Sequence, residues 1–219
     1  VLAGLLAAIS LIAAFSLLTR LVPDRVGVYD PNAVYRLSQP IGYWNGLGVF
    51  AGMGALLASG FAVRARTLGA RAGCAGLLVV LLPTLYFTFG RAVWIALAAG
   101  LAVAVSVDPR RLQFLAAVLV LGPVPGIAVL AASHESGLTH AGAPLGRAAH
   151  DGHRLALLIV LLSVANAFLA VAFAYVSSRI EVDFGHRAAF AVALALALIV
   201  GIAVVFNRYG GPVTLAKKG

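Results

Sequence analysis

From Ala72 to Val107 the chain runs for 36 residues with a single charged side chain, Arg91. One helix of that length would reach about 54 Å, far beyond the ~30 Å hydrocarbon core of a bilayer. The run therefore predicts two short membrane spans folded back at Thr88-Phe89-Gly90-Arg91, which lifts the arginine to one membrane face. The fold-back also removes a penalty, because an arginine at mid-membrane depth costs about 2.5–3.5 kcal/mol on insertion scales. What a guanidinium at that face holds is the question the sequence raises.

The rest of the chain agrees with a membrane class. Hydrophobic residues make up 62% and charged residues 11%, against averages of about 45–50% and 25% in soluble domains. The expectation is an all-α, polytopic transmembrane bundle in one membrane domain. Seven spans are predicted, at 1–19, 41–63, 73–89, 91–107, 112–132, 155–177 and 187–206, with longer loops at 20–40 and 133–154. Segment 1–19 lacks a basic n-region and a cleavage site, so it reads as a span rather than a signal peptide. The chain opens without methionine and closes on Lys217-Lys218-Gly219, and it is read as a piece of a longer membrane protein. A lone cysteine, Cys74, rules out an intramolecular disulfide.

The net charge of +9 does not point to nucleic acid, because the cations are scattered among inter-helix loops with no basic stripe or RNA-binding motif. A lipid bilayer, anionic lipids or a phosphorylated lipid substrate suit them better. Alternation of spans places Arg64, Arg66, Arg71, Arg110, Arg111, Arg179 and Arg187 on one side. Arg20, Arg25, Arg36, Arg91, Arg147, Arg154, Arg208, Lys217 and Lys218 fall on the other. Raw counting gives no orientation. The shorter loops of the first group favour it as cytoplasmic, which leaves the outer side with more cations than topology needs.

Two outer segments stand out. At the start of the second span, Arg36-Leu37-Ser38-Gln39-Pro40-Ile41-Gly42-Tyr43-Trp44-Asn45 is followed by Gly46, Gly48 and Gly52. Pro40 suits a first helical turn and Ser38 an N-cap, which would turn free N–H groups toward the region of Arg36 and suit phosphate oxygens. Tyr43 and Trp44 fit an interfacial aromatic belt, and the glycine spacings allow close helix contact. A capped interfacial helix with a snorkelling arginine accounts for the same residues. Asn45 leans the other way, since an amide one turn into a span needs a partner. The second segment, Tyr86-Phe87-Thr88-Phe89-Gly90-Arg91-Ala92-Val93-Trp94, reads either as a tight hairpin whose arginine reaches water or lipid phosphate, or as a guanidinium fork aimed at phosphate between helices.

Taken together, the two segments resemble the O-antigen ligase and polymerase family of bacterial envelope enzymes. In that family an arginine followed by a proline–glycine–asparagine stretch opens one span, and a serine–arginine–glycine–alanine–tryptophan-like motif sits at the outer end of a later one. Here Gly90 precedes the arginine and Ala92 follows it, which departs from the pattern but keeps the charge. The resemblance covers about 25 residues, and the chain's character is similar to actinobacterial members. It implies a metal- and cofactor-independent glycosyl transfer from an undecaprenyl-diphosphate-linked glycan to an acceptor glycan, lipid or protein. Under it, Arg36 and Arg91 bind the diphosphate, while Ser38, Tyr43 and Asn45 line the substrate site. It also implies a multi-pass protein of the bacterial cytoplasmic (inner) membrane with its arginine-bearing loops outward. The family's base lies in a large outer loop, expected beyond the end of this chain, so no catalytic residue is assigned.

Loop 133–154 holds His134, Glu135, His140, His150, Asp151 and His153 but shows no zinc spacing. A solvated connector is the leading expectation, ahead of a substrate-contacting loop and a metal site. Ser136 lies in that loop without an assigned histidine, so a serine-protease reading is set aside. Two other classes compete with the enzyme: a transporter or channel with Arg91 on the solute path, and a non-catalytic scaffold assembling through its glycine faces. The first would show inverted repeats, and no second copy of the short-span pair is visible.

Overall fold

The computed structural model describes residues 1–27 and 36–177, and the expected span 187–206 lies outside them. Every regular element in the described residues is a helix. In chain order these are α1 (Leu2–Leu21), α2 (Trp44–Arg64), α3 (Leu68–Phe87), α4 (Arg91–Val107), α5 (Arg111–Leu121), α6 (Pro123–His134), α7 (Ser136–Thr139) and α8 (Leu145–Ser177). α1, α2, α3, α8 and the α5–α6 pair taken as one are long and apolar enough to cross a membrane, and α4 is shorter. The fold is the helical bundle expected. Leu11, Ile95 and Phe168 are each more than 70% exposed, a placement that suits acyl chains rather than water.

The fold-back lies where the apolar run requires it. α3 stops at Phe87 and α4 starts at Arg91, so the charge ends at the rim of the bundle rather than inside it. The turn uses Phe89 at φ 52°, a left-handed conformation that costs an L-residue about 1–2 kcal/mol. Contacts hold it there: the Phe89 N–H donates to the Tyr86 carbonyl at 2.9 Å, and the two rings sit 5.4 Å apart.

Four boundaries differ from the sequence expectation. Span two begins at Trp44 rather than 41, with Tyr43 as N-cap and no side-chain cap, so Ser38 and Pro40 do not open a helix. The reason is Gly42, whose φ of +78° is incompatible with a right-handed helix through that point. The span expected at 73–89 runs instead from Leu68 to Phe87, with the Thr67 hydroxyl accepting from the Ala70 N–H. The span at 112–132 is bent: α5 gives way to α6 at Gly122-Pro123, where proline supplies no N–H. Loop 133–154 is largely helical, because α8 begins at Leu145, ahead of the expected 155.

α3 is the central helix, touching α1, α2, α6 and α8. Against α8 the backbones come close, with Gly76 beside the Ser163 carbonyl. Below them the buried Asn166 amide donates to the Ala75 carbonyl at 2.8 Å. Interhelical bonds of this kind average about 0.6 kcal/mol in membrane bundles. Asn166→Ala is therefore expected to lower the melting temperature of the detergent-solubilised protein by only a few degrees, and a loss of folded protein would contradict that estimate.

Contacts define two ends. At one, Arg64 and Asp108 form an ion pair between the close of α2 and the close of α4. At the other lie the end of α1, the α3–α4 turn, the start of α2 and the start of α8. The cluster of buried side chains there includes Leu21, Leu37, Phe87, Leu138, Ala148 and Leu155.

Candidate functional site

The two arginine segments meet at this second end. The Leu37 N–H donates to the Phe87 carbonyl at 2.8 Å, which ties the residue after Arg36 to the last residue of α3. Residues 38–42 then turn, with the Gly42 N–H donating to the Ser38 carbonyl at 2.7 Å, and the Ser16 hydroxyl holds the Gln39 carbonyl from α1. From there α2 descends beside α4. Gly48 and Gly52 face Val93, so the 48/52 glycine pair gives the close contact expected of it, while Gly42 lies outside the helix. Asn45 and Gly90 are neighbours: a Cβ at Gly90 would lie 3.7 Å from Asn45 Oδ1.

α2 and α4 thus begin at the same end of the bundle, and the unsatisfied N–H groups of both first turns give it positive potential. The α3–α4 turn keeps its own polar groups satisfied. Thr88 Oγ1 donates to the Leu85 carbonyl at 2.7 Å and accepts from the Gly90 N–H at 3.3 Å. Neither that turn nor the Leu37 link carries a countercharge.

The arginines differ in setting. Arg36 is half-buried, with its guanidinium 5.3 Å from the Trp44 ring centroid, a cation–π contact worth roughly 0.5–2 kcal/mol. Arg91 is exposed on the first residue of α4. The ion pairs among the described residues are Asp24–Arg25, Arg64–Asp108, His150–Asp151 and His153–Asp24, and neither Arg36 nor Arg91 enters one. Trp44 Nε1 is buried with no hydrogen-bond acceptor among the described residues. A buried donor left unsatisfied costs about 1–3 kcal/mol, so an oxygen ligand there would recover free energy.

Of the other expected lining residues, Ser38 is half-buried in the turn and Tyr43 is exposed. Asn45 is also exposed and donates through Nδ2 to Tyr43 Oη at 3.1 Å, so the partner its amide needs is a neighbouring phenol. Span alternation puts Arg20 on this side, as the structure does, but sequence reasoning missed its packing against the arginine segments. Arg20 sits in the last turn of α1 with its guanidinium 5.6 Å from the Phe87 ring centroid. No local signal marks that contact, because it joins the first helix to the third.

The histidine-rich stretch packs beside this end but does not gather into a cluster. His153 Nε2 lies 3.1 Å from Asp24 Oδ1, while His150 neighbours Asp151 on the same helix. Asp151 accepts from the Gly137 N–H at 2.9 Å, and Arg147 donates to Ser136 Oγ at 2.8 Å. These contacts join α7 to α8 and α8 to the segment after α1. Among the described residues no three His, Cys, Asp or Glu side chains are grouped as metal ligands. The stretch is thus largely helical and tied to α1 and α7 rather than a simple solvated connector.

Comparison of the chain with protein-family models, with curated proteins and with solved structures gives no match in any of the three.

Proposed function

We propose that this chain is the membrane part of a glycosyltransferase that moves a glycan from a polyprenyl-diphosphate carrier to an acceptor, in the manner of the O-antigen ligases and polymerases it resembles. The observation that carries the reading is the union of the two arginine segments through Leu37 and Phe87 at one end of the bundle. Two arginines and an indole N–H that have no carboxylate or acceptor partner among the described residues, together with two helix N-termini, are what a multiply charged oxyanion needs.

In such a transfer the acceptor hydroxyl attacks the anomeric carbon, the bond from that carbon to the diphosphate oxygen breaks, and the diphosphate leaves with the electron pair. Arg36 and Arg91 hold the charge that grows on it. Guanidinium groups positioned where charge develops stabilise it in the transition state. Tyr43, Asn45 and Ser38 flank the same face, and the proton of the acceptor hydroxyl goes to a base outside the arginine pair. The reading places the chain in a bacterial cytoplasmic membrane with the Arg36–Arg91 end outward and the Arg64–Asp108 end in the cytoplasm.

The bend at Gly122 does not favour a transporter. Gly122 keeps helical dihedrals, the Gly122 N–H still reaches the Val118 carbonyl at 2.8 Å, and the Gly126 N–H reaches the Gly122 carbonyl at 3.1 Å. This is a proline bend rather than the unwound segment that binds ions in discontinuous transporter helices. The test of the proposal is complementation by the full-length protein carrying Arg36→Ala or Arg91→Ala in a strain lacking the native copy. Loss of glycan joining at wild-type protein levels is expected for both. Retention of joining by both variants would remove the assigned roles.

A further inference from the structure

The end opposite Arg36 and Arg91 carries its own cations. Arg64, Arg66, Arg71, Arg110 and Arg111 lie in or beside the α2–α3 and α4–α5 connections, with Asp108 the one carboxylate there. Two of these arginines are engaged: Arg64 pairs with Asp108, and Arg71 Nε donates to the Ala65 carbonyl at 2.8 Å. Arg66, Arg110 and Arg111 are exposed and enter no ion pair among the described residues.

Above them lies an apolar cleft of about 80 Å³, walled by α2, α4 and the α5–α6 junction and floored by α3. Val63, Leu101, Ala117, Val118 and Pro125 contribute to its walls. Ser59, the one hydroxyl in the lining, is already bonded to the Ala55 carbonyl at 2.7 Å. At the depth of these spans the surrounding medium is hydrocarbon, so an apolar cleft there suits an acyl chain.

The cleft and the cations are in register. Val63 directly precedes Arg64. Leu101 precedes the end of α4, and Ala117 follows the start of α5, by six residues each, or about 9 Å at the helical rise. The headgroup layer of a leaflet is roughly 5–8 Å deep. A phosphate held at Arg110 and Arg111 would therefore set the upper methylenes of its own chain at the mouth of the cleft.

We infer that this end binds one anionic phospholipid, with its headgroup at Arg110 and Arg111 and an acyl chain seated between α2, α4 and α5. The lipid belongs to the bilayer leaflet at the Arg64–Asp108 end and is separate from any ligand of Arg36 and Arg91. Asp108 accepts from the Arg110 backbone N–H at 2.7 Å, but among the described residues no carboxylate pairs with either guanidinium, and two such cations select an anionic headgroup over a zwitterionic one. With each arginine near a lipid surface worth roughly fivefold in affinity, the preference is expected to be about tenfold or more.

The test is a lipid titration of the delipidated full-length protein in mild detergent, read by native mass spectrometry. The probes are dioleoyl phosphatidylglycerol and dioleoyl phosphatidylcholine. The wild type is expected to take one phosphatidylglycerol at about tenfold lower concentration than phosphatidylcholine. R110Q/R111Q is expected to bring the two lipids within about twofold, and R36Q/R91Q to leave the preference intact. Val118→Trp, which fills the cleft, is expected to weaken both lipids about fivefold or more without changing their ratio. Leu101→Trp, on the opposite wall, replaces it if the first variant does not fold. Equal affinities in the wild type, a preference that survives R110Q/R111Q, or one that vanishes only with Arg36 and Arg91 overturns the headgroup assignment. Undiminished binding in a folded cleft-filled variant overturns the seat of the chain.

Discussion

Arg91→Ala is expected to lower the rate of glycan transfer by about a hundredfold or more while leaving the bundle folded. The magnitude follows from what removal of a single oxyanion-stabilising donor costs in other enzymes, about 10²–10³ in rate. The structural neutrality follows from position. Arg91 is exposed at the first residue of α4, enters no ion pair among the described residues, and leaves the Thr88 bonds that hold the turn untouched. Arg91→Lys is expected to recover part of the rate, because the charge remains while the planar two-pronged contact is lost. Steady-state transfer rates on a defined lipid-linked donor, with circular dichroism as the folding control, check both. A near-wild-type rate for Arg91→Ala would make the residue a snorkelling interfacial charge and nothing more.

The largest stability effect is expected at Gly152. This residue lies about two turns into α8, in its outer extension, and presses against the backbone of Leu21 at the end of α1. A Cβ there would overlap the Leu21 carbonyl oxygen and sit 2.8 Å from the carbonyl carbon and 3.1 Å from the α-carbon. All three atoms are backbone, so no side-chain rotation relieves the clash. Overpacking of this kind costs typically 1–3 kcal/mol where the surroundings yield, and Gly152→Val is expected to exceed about 3 kcal/mol because two helix backbones must separate. The consequence reaches the arginine end, since Leu21, Ala148 and Leu155 share one buried cluster with Leu37 and Phe87. Thermal unfolding of the purified variant reads the loss. A melting temperature within about two degrees of wild type would mean that α1 and α8 are not in this contact.

The sequence made some of this legible and hid the rest for physical reasons. The fold-back at Thr88–Arg91 was readable because helix length and one charge leave few alternatives. The bundle was readable because long apolar stretches with polar breaks have no other home. The start of α2 was not, since the left-handed conformation of Gly42 that stops a helix at Ser38 or Pro40 has no unique signature among the neighbouring glycines. The outer ten residues of α8 read as loop in the sequence because Gly146, Gly152 and a run of polar side chains mask a helix that Ala148 and Gly152 anchor to α1 and α7. For the arginine end, residue types were visible but their meeting was not. The Leu37–Phe87 bond, the Asn45–Gly90 contact and the Arg20–Phe87 stacking each join segments far apart in the chain, and periodicity carries no information about such pairs.

The most direct test of the arginine end as a diphosphate site is equilibrium binding of farnesyl diphosphate and farnesyl monophosphate to the full-length protein in detergent. Wild type is expected to prefer the diphosphate, with affinity falling about tenfold in Arg36→Ala and in Arg91→Ala and the preference disappearing in the double variant. Undiminished diphosphate binding by a folded Arg36→Ala/Arg91→Ala protein would contradict it.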